Sequence, residues 1–305
     1  MGENKQEIDI VERFKNYEET HCWQYQIRKS NKEIDLIDSN LTEDDVRDIK
    51  VTDFTFEFVP KTDKITINLI KEFITRHEWL GKISNYPTHF FVAKFNGTLA
   101  GVVIMDMPNA FSKLLGDKTK KIERLISRGA CISWSPKNLA SSLIMYSIKW
   151  MVKNTDYRVF TAYSDPEAKE LGTIYQACNF TYLGQNSGGS KQYQLDTGKW
   201  VSDRYFRSRS VYKRLAIKAG LKWNDVWVDG DRVLFDKMDE EMANKIRELS
   251  KNYQNSCVKR DVPRKHKYAY ILGANKKETR RLRDEFEKIN PKMVNIPYPK
   301  ERGKH

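Results

Sequence analysis

Three polar side chains fall where the sequence predicts a strand end and the helix after it. Ser164 and Asp165 end a β-prone run, and Tyr175 follows in the next helical segment. A carboxylate such as Asp165 can accept a proton from an attacking amine, and a tyrosine hydroxyl can protonate a leaving group or hold a carbonyl. Each residue also has a structural interpretation, because aspartate and serine are favoured helix caps and tyrosine often packs in a core.

Arg128 and His77 are the other candidates for charge or proton chemistry. The planar guanidinium of Arg128 can bind a phosphate or a carboxylate, and a structural salt bridge is the alternative. His77 is a candidate base or metal ligand, and a packed structural histidine is the alternative. The sequence leaves open whether a metal takes part.

The elements that position these residues alternate between strands and helices over residues 128–184. In chain order they are strand Arg128–Trp134, helix Asn138–Val152, strand Tyr157–Ala162, a helix from Asp165 to Asn179, and strand Phe180–Leu183. The first helix has apolar residues at a period of about 3.6, and proline suits the first turn of the second helix. A strand–helix–strand crossover is right-handed and gives a parallel strand pair. Ligands bind outside the carboxyl ends of such strands, where Ser164 and Asp165 are expected.

The start of the helix at Asn138 predicts an anion site. The first N–H groups of a helix have no partner within it, and they carry a partial positive charge. A lysine beside them adds a full charge. The candidate phosphate-binding residues are Lys137, Asn138, Ala140, Ser141 and Ser142.

The positive charge of the chain is concentrated in its last third. Residues 199–305 contain 28 Lys and Arg against 15 Asp and Glu, whereas residues 1–198 contain 26 of each. This asymmetry predicts a polyanionic partner, nucleic acid ahead of a membrane surface, with a solvated basic face as the plain alternative. The candidate DNA-binding residues are Arg204, Arg207, Arg209, Lys213, Arg214, Arg280 and Arg281.

The remaining segments predict a core that begins near residue 51. Strand Phe54–Val59 and a helix over Ile65–Ile74 lead into a hairpin with Asn96-Gly97 at its turn, which is a strong hairpin signal. We expect three regions: a polar N-terminal appendage over 1–50, a catalytic core over 51–198, and a basic helical and hairpin extension over 199–305, whose last strand rejoins the core.

The composition indicates a globular chain outside the membrane. Aromatic residues make up 12% of the sequence, and no apolar run approaches the roughly 18 residues of a membrane span. The N-terminus has no signal-peptide core, and the cysteines form no C-x-x-C pair, which argues against a zinc finger. We therefore expect a cytoplasmic protein with reduced thiols.

The order of elements resembles the GNAT acetyltransferase fold over roughly residues 51–195. The segment GTIYQACNF (172–180) is similar to the helix in which that family places a tyrosine near the sulfur of acyl-coenzyme A, and Tyr175 matches this tyrosine. The resemblance implies an α/β (α+β) fold, with a mixed central sheet flanked by helices, and an acyl-coenzyme A cofactor such as acetyl-CoA. The sequence departs from the family at the phosphate turn, because residues 135–142 contain no glycine.

Several separate stretches are similar to the Mom family of phage DNA-modification proteins. They are HEWLG (77–81), Arg128, the turn Pro136-Lys137-Asn138, the strand end Tyr163-Ser164-Asp165, GTIYQA (172–177), RKHKY (264–268) and PYPK (297–300). The match spans most of residues 70–300 and is weakest at HEWLG, where Glu78 and Trp79 replace the residues that the family has there. The resemblance implies addition of a carbamoylmethyl-like or acyl-type group to the N6 amine of adenine in DNA, which protects phage DNA from restriction.

The resemblance also implies double-stranded DNA and a small-molecule donor as partners, in the host cytoplasm. The donor stays open between an acyl-coenzyme A, a glycine-derived donor and a metal-assisted route. The oligomeric state is open too, with a homodimer among the options. The target base must leave the duplex to reach a buried donor, and Trp79, Trp134 and Tyr163 are candidates for stacking against it.

Two other functions stay open. A GNAT enzyme could act on a hypermodified pyrimidine in DNA, on RNA or on a protein amine. A GNAT-like protein without the glycine-rich turn could also bind DNA without catalysis. We expect an enzyme, because polar residues cluster at the predicted strand ends.

Overall fold

The computed structural model describes residues 21–84, 86–189, 191–230 and 232–300. The strands are β1 (Phe54–Val59), β2 (Pro87–Phe95), β3 (Thr98–Asp106), β4 (Leu114–Asp117), β5 (Glu123–Cys131), β6 (Val159–Ser164), β7 (Thr181–Ser187), β8 (Lys191–Gln194), β9 (Trp200–Ser202), β10 (Val228–Asp229), β11 (Arg232–Val233), β12 (Val258–Asp261) and β13 (Lys265–Ile271). The helices are α1 (Trp23–Ser39), α2 (Asp45–Asp48), α3 (Lys64–His77), α4 (Thr119–Ile122), α5 (Leu139–Asn154), α6 (Thr173–Ala177), α7 (Asp203–Phe206), α8 (Arg209–Lys218), α9 (Glu240–Ser256) and α10 (Lys276–Ile289).

The main element is a seven-stranded sheet in the order β1-β2-β3-β5-β6-β13-β7. β5 and β6 run parallel, and the other neighbouring pairs are antiparallel. Asn96 and Gly97 join β2 to β3 with φ angles of 49° and 81°, as a two-residue type I′ hairpin requires. Helices α3 and α5 pack on this sheet. The structure therefore confirms the predicted mixed central sheet flanked by helices.

Helix α5 shows why these residues form the core. Its buried face contains the periodic apolar residues of the sequence, among them Leu139, Leu143, Ile144, Ile148 and Met151. Each such side chain stabilises the fold by about 1.5–3 kcal/mol when it is fully buried. This packing fixes the start of α5 next to the end of β5.

β5 and β6 separate toward their carboxyl ends. Their pairing runs from Glu123 opposite Val159 to Ile126 opposite Ala162 and then stops. Beyond that point β5 continues along β3, while β6 continues along β13. A wedge-shaped opening therefore begins after Ile126 and Ala162, beside Ser164.

The chain forms two compact units. One contains residues up to Ser187 together with residues from Lys265 onward, and the other is Gly188–Arg264. The second unit has its own three-stranded sheet, β12-β8-β9, and helices α7, α8 and α9. The extension expected over 199–305 is therefore divided, because the backbone of β13 pairs with β6 and β7 in the main sheet.

The single helix expected from Asp165 to Asn179 is wrong. A 3-10 turn covers Pro166–Ala168, and α6 begins only at Thr173. Lys169 and Gly172 lie between them with left-handed φ angles of 57° and 67°, which a right-handed helix cannot contain.

The strand expected at Arg128–Trp134 begins earlier, at Glu123, and ends at Cys131. Glu123 is charged but buried, and it accepts hydrogen bonds from Ser112 N (2.7 Å) and Thr161 Oγ1 (2.9 Å). Buried charges are tolerated when they are hydrogen-bonded, which a hydrophobic pattern does not reveal.

The described part of the N-terminal region packs on the core. Helix α1 buries Ile27 and Leu36. Arg28 Nε donates to the Ser133 carbonyl (2.7 Å), and Asp35 accepts from the Ser133 N–H (3.0 Å), so α1 holds the turn after β5. The first twenty residues of the expected appendage lie outside the described residues.

Candidate active site

Asp165 lies at the carboxyl end of β6 and has two partners. Its Oδ1 accepts a hydrogen bond from the Glu167 N–H (3.1 Å) and so caps the 3-10 turn. Its Oδ2 forms an ion pair with Lys265, whose Nζ lies 2.7 Å away. The capping role and a functional role are compatible, because the two roles use different oxygen atoms.

Glu170 joins this strand end to the loop after α3. Its Oε1 accepts a hydrogen bond from Trp79 Nε1 (3.1 Å), and its Oε2 accepts one from the Asp165 N–H (3.2 Å). Trp79 packs edge-on against Trp23, with ring centroids 5.3 Å apart. One carboxylate thus fixes both a strand end and an aromatic ring.

Glu78 is a second carboxylate at this place, and it is 7% exposed. Its Oε2 accepts a hydrogen bond from the Gly81 N–H (2.9 Å). Burial raises the pKa of Glu78 to about 7, although the charges of Arg128 and Lys265 and the Gly81 hydrogen bond oppose the rise.

Glu78 and Glu170 interact electrostatically. Burial raises the pKa of Glu170 to about 7, and the negative charges of Glu78 and Asp165 contribute to the rise. With pKa values of about 7, both carboxyl groups can take up or release a proton near neutral pH, which suits general acid–base chemistry.

Tyr175 lies on α6, close to these carboxylates. Its ring centroid is 5.4 Å from that of Phe180 and 5.4 Å from that of Tyr268. Burial raises the pKa of Tyr175 well above its usual value, and the charge of Glu170 contributes. The Tyr175 hydroxyl therefore stays protonated at neutral pH and can act as a hydrogen-bond donor.

Gly172 allows β13 and the α6 segment to approach each other closely. A Cβ at Gly172 would lie 2.8 Å from Tyr268 Cζ and 3.0 Å from Ser164 Oγ. The Tyr268 hydroxyl donates to the Leu171 carbonyl on the same loop. Ser164 is 2% exposed and is enclosed by these groups.

Arg128 is held by backbone carbonyl groups. Its Nε donates to the Lys82 carbonyl (2.6 Å), and its Nη1 donates to the Ser127 carbonyl (2.5 Å). Its charge opposes the rise in pKa that burial causes at Glu78 and at Asp106. Arg128 thus acts on the site through its charge.

His77 contacts Asp35 rather than the residues at the end of β6. Its Nε2 lies 3.2 Å from both carboxylate oxygens of Asp35, and its ring stacks on Phe73 with centroids 4.2 Å apart. Burial lowers the pKa of His77, with Asp35 opposing this and Arg76 adding to it. A functional role for His77 stays a prediction.

The start of α5 contains the predicted phosphate-binding residues. Asn138 is the N-cap, and its side chain makes no capping hydrogen bond. Lys137 and Asn138 are exposed, whereas Ala140, Ser141 and Ser142 are partly buried. Ser141 Oγ donates to the Asn138 carbonyl (3.1 Å). These groups fit the phosphate end of an extended cofactor, because helix N–H groups can bind phosphate without a glycine-rich turn.

The three candidate stacking residues differ in their surroundings. Trp134 is 6% exposed and its Nε1 donates to Ser39 Oγ (3.0 Å), so this ring belongs to the core. Tyr163 is partly buried, and Lys267 Nζ lies 5.7 Å from its ring centroid. Trp79 is partly buried, and its hydrogen bond to Glu170 places its ring in direct contact with one of the carboxylates.

The basic residues are divided between the two units. In the unit Gly188–Arg264, Arg207 pairs with Asp203 and Lys213 pairs with Asp225 (3.1 Å). In the same unit, Arg204 is exposed. Arg209 Nη1 donates to the Gly230 carbonyl (3.2 Å). Arg214 Nη2 donates to the Tyr205 hydroxyl (3.3 Å). Arg280 and Arg281 are exposed on α10, in the other unit.

Within the described ranges, no three His, Cys, Asp or Glu side chains are grouped so that they could hold a metal ion. Cys22, Cys131, Cys178 and Cys257 form no disulfide with one another. None of the helices in the described part of the chain has the length and apolar character needed to span a membrane.

Sequence reasoning missed Glu78 and Glu170. A weak signal exists for Glu78, since it replaces a family residue in HEWLG, directly after His77. Glu170 carries no such signal, because it follows Asp165 in a segment that the sequence predicts as helix. Only the left-handed turn at Lys169 brings its carboxylate back to the strand end.

Comparison with known protein families identifies one to which the chain is similar. The model of the Mom protein family matches residues 60–300. No curated protein matches the chain.

Solved acetyltransferase structures resemble parts of the chain. A GNAT family acetyltransferase from Elizabethkingia anophelis with acetyl-CoA bound is 11% identical and covers 72% of this chain and 99% of its own, with a TM-score of 0.33. The RimL ribosomal L7/L12 alpha-N-protein acetyltransferase is 12% identical and covers 73% and 96%, with a TM-score of 0.34. The putative acetyltransferase yncA from Salmonella typhimurium, with its cofactor acetyl-CoA, is 15% identical and covers 48% and 88%, with a TM-score of 0.33. The fold of this chain is therefore defined by the strand order of its own sheet.

Proposed function

The chain belongs to the Mom protein family, and we propose from this premise that it is a phage-type DNA-modification enzyme that adds a carbamoylmethyl-like or acyl-type group to the N6 amine of adenine. The observation that carries the proposal is the cluster of Asp165, Glu170, Glu78 and Tyr175 at the end of β6. Its proposed partners are double-stranded DNA and a small-molecule donor, in the host cytoplasm.

The carboxylates can compensate for the low nucleophilicity of the adenine amine. The lone pair of the adenine N6 amine is delocalised into the ring, so the amine needs to lose a proton as it attacks. In the proposed step the N6–carbon bond forms, and the bond between the donor carbon and its leaving group breaks. One N6 proton passes to a carboxylate, and the carboxyl groups then return a proton to the leaving group, so that no net charge is created. General-base assistance of this kind contributes about 10²–10⁴ in rate.

Asp165 is the proposed base, with Lys265 and the Glu167 N–H fixing its position. Glu78 and Glu170, which titrate near neutral pH, can receive the proton from it. Tyr175 keeps its proton, so its hydroxyl can donate a hydrogen bond to the negative charge that develops on the leaving group.

The donor site is proposed in the wedge between β5 and β6 and at the start of α5. Lys137, Asn138, Ala140, Ser141 and Ser142 would hold the phosphate groups of an acyl-coenzyme A there. When bound, such a cofactor would supply an activated carbonyl carbon and so give the acyl-type product; the carbamoylmethyl-like product requires a donor that is activated at its methylene carbon. Arg128, fixed on two carbonyl groups, adds positive charge beside the same opening.

The target base reaches this site by flipping out of the duplex. Trp79 is the proposed stacking partner, because Glu170 holds its ring near the carboxylates. Basic residues of α7, α8 and α10, together with Arg207 directly after α7, are proposed to contact the DNA backbone by charge. They are Arg204, Arg207, Arg209, Lys213, Arg214, Arg280 and Arg281.

Mass spectrometry of nucleosides from plasmid DNA tests the proposal. The DNA is taken from bacteria that express the protein, its Asp165→Asn variant, or the control Asp117→Asn, which changes an exposed aspartate of the same unit. We expect a new adenosine species with the protein and the control, and its loss with Asp165→Asn. A modified cytidine or thymidine would move the target to another base. Unmodified DNA, with a soluble protein that binds DNA, would overturn the enzyme proposal in favour of a binding protein.

A further inference from the structure

A basic groove lies at the end of the sheet opposite to the candidate active site. It is bounded by the end of α5 and the start of α10, and its cavity volume is about 910 Å³. Leu272 at its floor donates a backbone hydrogen bond to the Arg158 carbonyl (3.0 Å), directly before β6 begins. The candidate active site is at the other end of the same strand, so the groove is a separate feature.

The groove is lined by five cations: Lys149, Lys153, Lys276, Arg280 and Arg283. Lys149, Lys153, Lys276 and Arg280 are exposed, and none of the four forms an ion pair with a described residue. Arg283 donates to the Ile271 carbonyl (3.3 Å).

Two acids, Asp284 and Glu287, also line the groove, so its cations remain in excess. Isolated surface cations normally need no explanation. Several cations that line one cavity without forming ion pairs indicate that the cavity binds an anion.

The spacing of the cations fits a chain of phosphates. Lys149 and Lys153 are one helical turn apart on α5, and Lys276 and Arg280 are one turn apart on α10. Side chains with this spacing are about 5–6 Å apart at Cβ. One nucleic-acid strand carries a charge about every 3.4 Å along the helix axis, so each row can reach successive phosphates.

The groove is built before any ligand arrives. Gly273 lies so close to α10 that a Cβ there would be 2.6 Å from Thr279 N. Thr279 Oγ1 accepts a hydrogen bond from the Gly273 N–H (2.9 Å), and Asn275 caps α10 through the Glu278 N–H (2.9 Å). These contacts fix the start of α10 beside the end of β13, so a ligand does not have to order the helix that carries Lys276 and Arg280.

We propose that this groove binds the phosphodiester backbone of the DNA whose base enters the candidate active site. The inference rests on the proposed function for the identity of the DNA. The six residues of β6 span about 20 Å, which corresponds to about six base pairs of 3.4 Å each. A single duplex can therefore reach both ends of the strand.

DNA binding measured by fluorescence anisotropy against salt concentration tests the groove. The probes are two double variants, Lys149→Ala/Lys153→Ala and Lys276→Ala/Arg280→Ala, with a labelled duplex. The matched control is Lys64→Ala/Lys71→Ala, which removes two exposed lysines from α3 and lies outside the groove. Each lost phosphate contact lowers the slope of log K against log salt by about 1, so we expect a decrease of about 2 in each groove variant and none in the control.

Equal slopes for the groove variants and the control would overturn the inference. Saturable binding of inorganic phosphate or adenosine triphosphate, with DNA binding unaffected by the groove variants, would also overturn it and identify a small-anion pocket. Plasmid modification is measured separately. If the wild-type protein leaves DNA unmodified but the slopes decrease as expected, the proposed function fails while the groove remains.

Discussion

Lys265 Nζ lies 2.7 Å from Asp165 Oδ2, although the inserted unit, Gly188–Arg264, separates the two residues in the chain. β13 begins at Lys265 and runs antiparallel to β6, which ends at Ser164. The strand pairing therefore places the lysine at the candidate base. Asp165 also caps the 3-10 turn, so its carboxylate is held on two sides.

The first prediction concerns this ion pair. Lys265→Met removes the charge but keeps a long side chain, so Asp165 loses one of its two fixed partners. We expect about a tenfold lower yield of modified adenosine, because a misplaced base loses part of its 10²–10⁴ contribution. Lys265→Arg should restore most of the yield in the same mass-spectrometric assay. Equal yields for Lys265→Met and wild type would show that the ion pair does not help to position the base.

The second prediction concerns stability and pH. The pKa of Glu78 is about 7 in the fold, against an ordinary value of 4.5, because burial disfavours its charge. A raised carboxyl pKa contributes stability that is fully present below about pH 4.5 and is lost as the pH rises through 7. The loss is about 3.5 kcal/mol at most, at roughly 1.4 kcal/mol per pKa unit.

Glu78→Gln keeps the shape and cannot ionise, so it should lose less unfolding free energy between pH 5 and pH 8 than the wild type. Urea unfolding at both pH values measures this. Glu72→Gln, at an exposed glutamate on α3, is the control and should follow the wild type. A parallel loss in Glu78→Gln and wild type would contradict the raised pKa.

The third prediction separates two roles of Trp79. Trp79→Phe keeps an aromatic face and removes the hydrogen bond to Glu170, whereas Trp79→Leu removes both. If the ring stacks on the flipped base, the yield of modified adenosine should fall several-fold further in Leu than in Phe, since such stacking contributes about 1–3 kcal/mol. Similar yields for the two variants would limit Trp79 to positioning Glu170. Binding of duplex DNA is the companion measurement and should change little.

The fourth prediction compares two glycines of the same unit with nearly the same backbone. Gly172 and Gly116 have φ angles of 67° and 66°, but only at Gly172 would a Cβ meet other atoms within 4 Å. Gly116→Ala should cost about 1–2 kcal/mol of unfolding free energy, the cost of a left-handed residue. Gly172→Ala adds the clash with Tyr268, so its cost should be clearly larger. Thermal unfolding of both variants gives the comparison, and equal losses would contradict the close packing of β13 on this loop.

The sequence predicted most of the elements that hold the site, because periodicity and turn residues are local signals. The hairpin at Asn96-Gly97 and the apolar face of α5 are examples. Asp165 was also correctly placed at a strand end. A local pattern cannot show that Lys265 would return to it, because that contact depends on strand pairing across the inserted unit.

The parts that sequence reasoning missed depend on backbone reversals and on burial of charge. Glu170 reaches Asp165 only because Lys169 adopts a left-handed conformation, which is uncommon for lysine. Glutamates are normally exposed, yet Glu78 and Glu123 are each buried and hydrogen-bonded. Such exceptions to local rules concentrate at functional sites, and a sequence pattern therefore could not identify Glu78 and Glu170 as a pair.

The position of β13 has a consequence for how the protein is made. β13 lies between β6 and β7, but a ribosome synthesises it after both of them and after the inserted unit. Until residue 271 has emerged, β7 has no neighbour in the main sheet, and Lys265 and Tyr268 are missing from the site. Nascent chains that stop within the insertion therefore cannot carry the complete site, and closure of the sheet is a late, long-range event of the kind that slows folding. The candidate active site is therefore complete only after residue 271 has been synthesised.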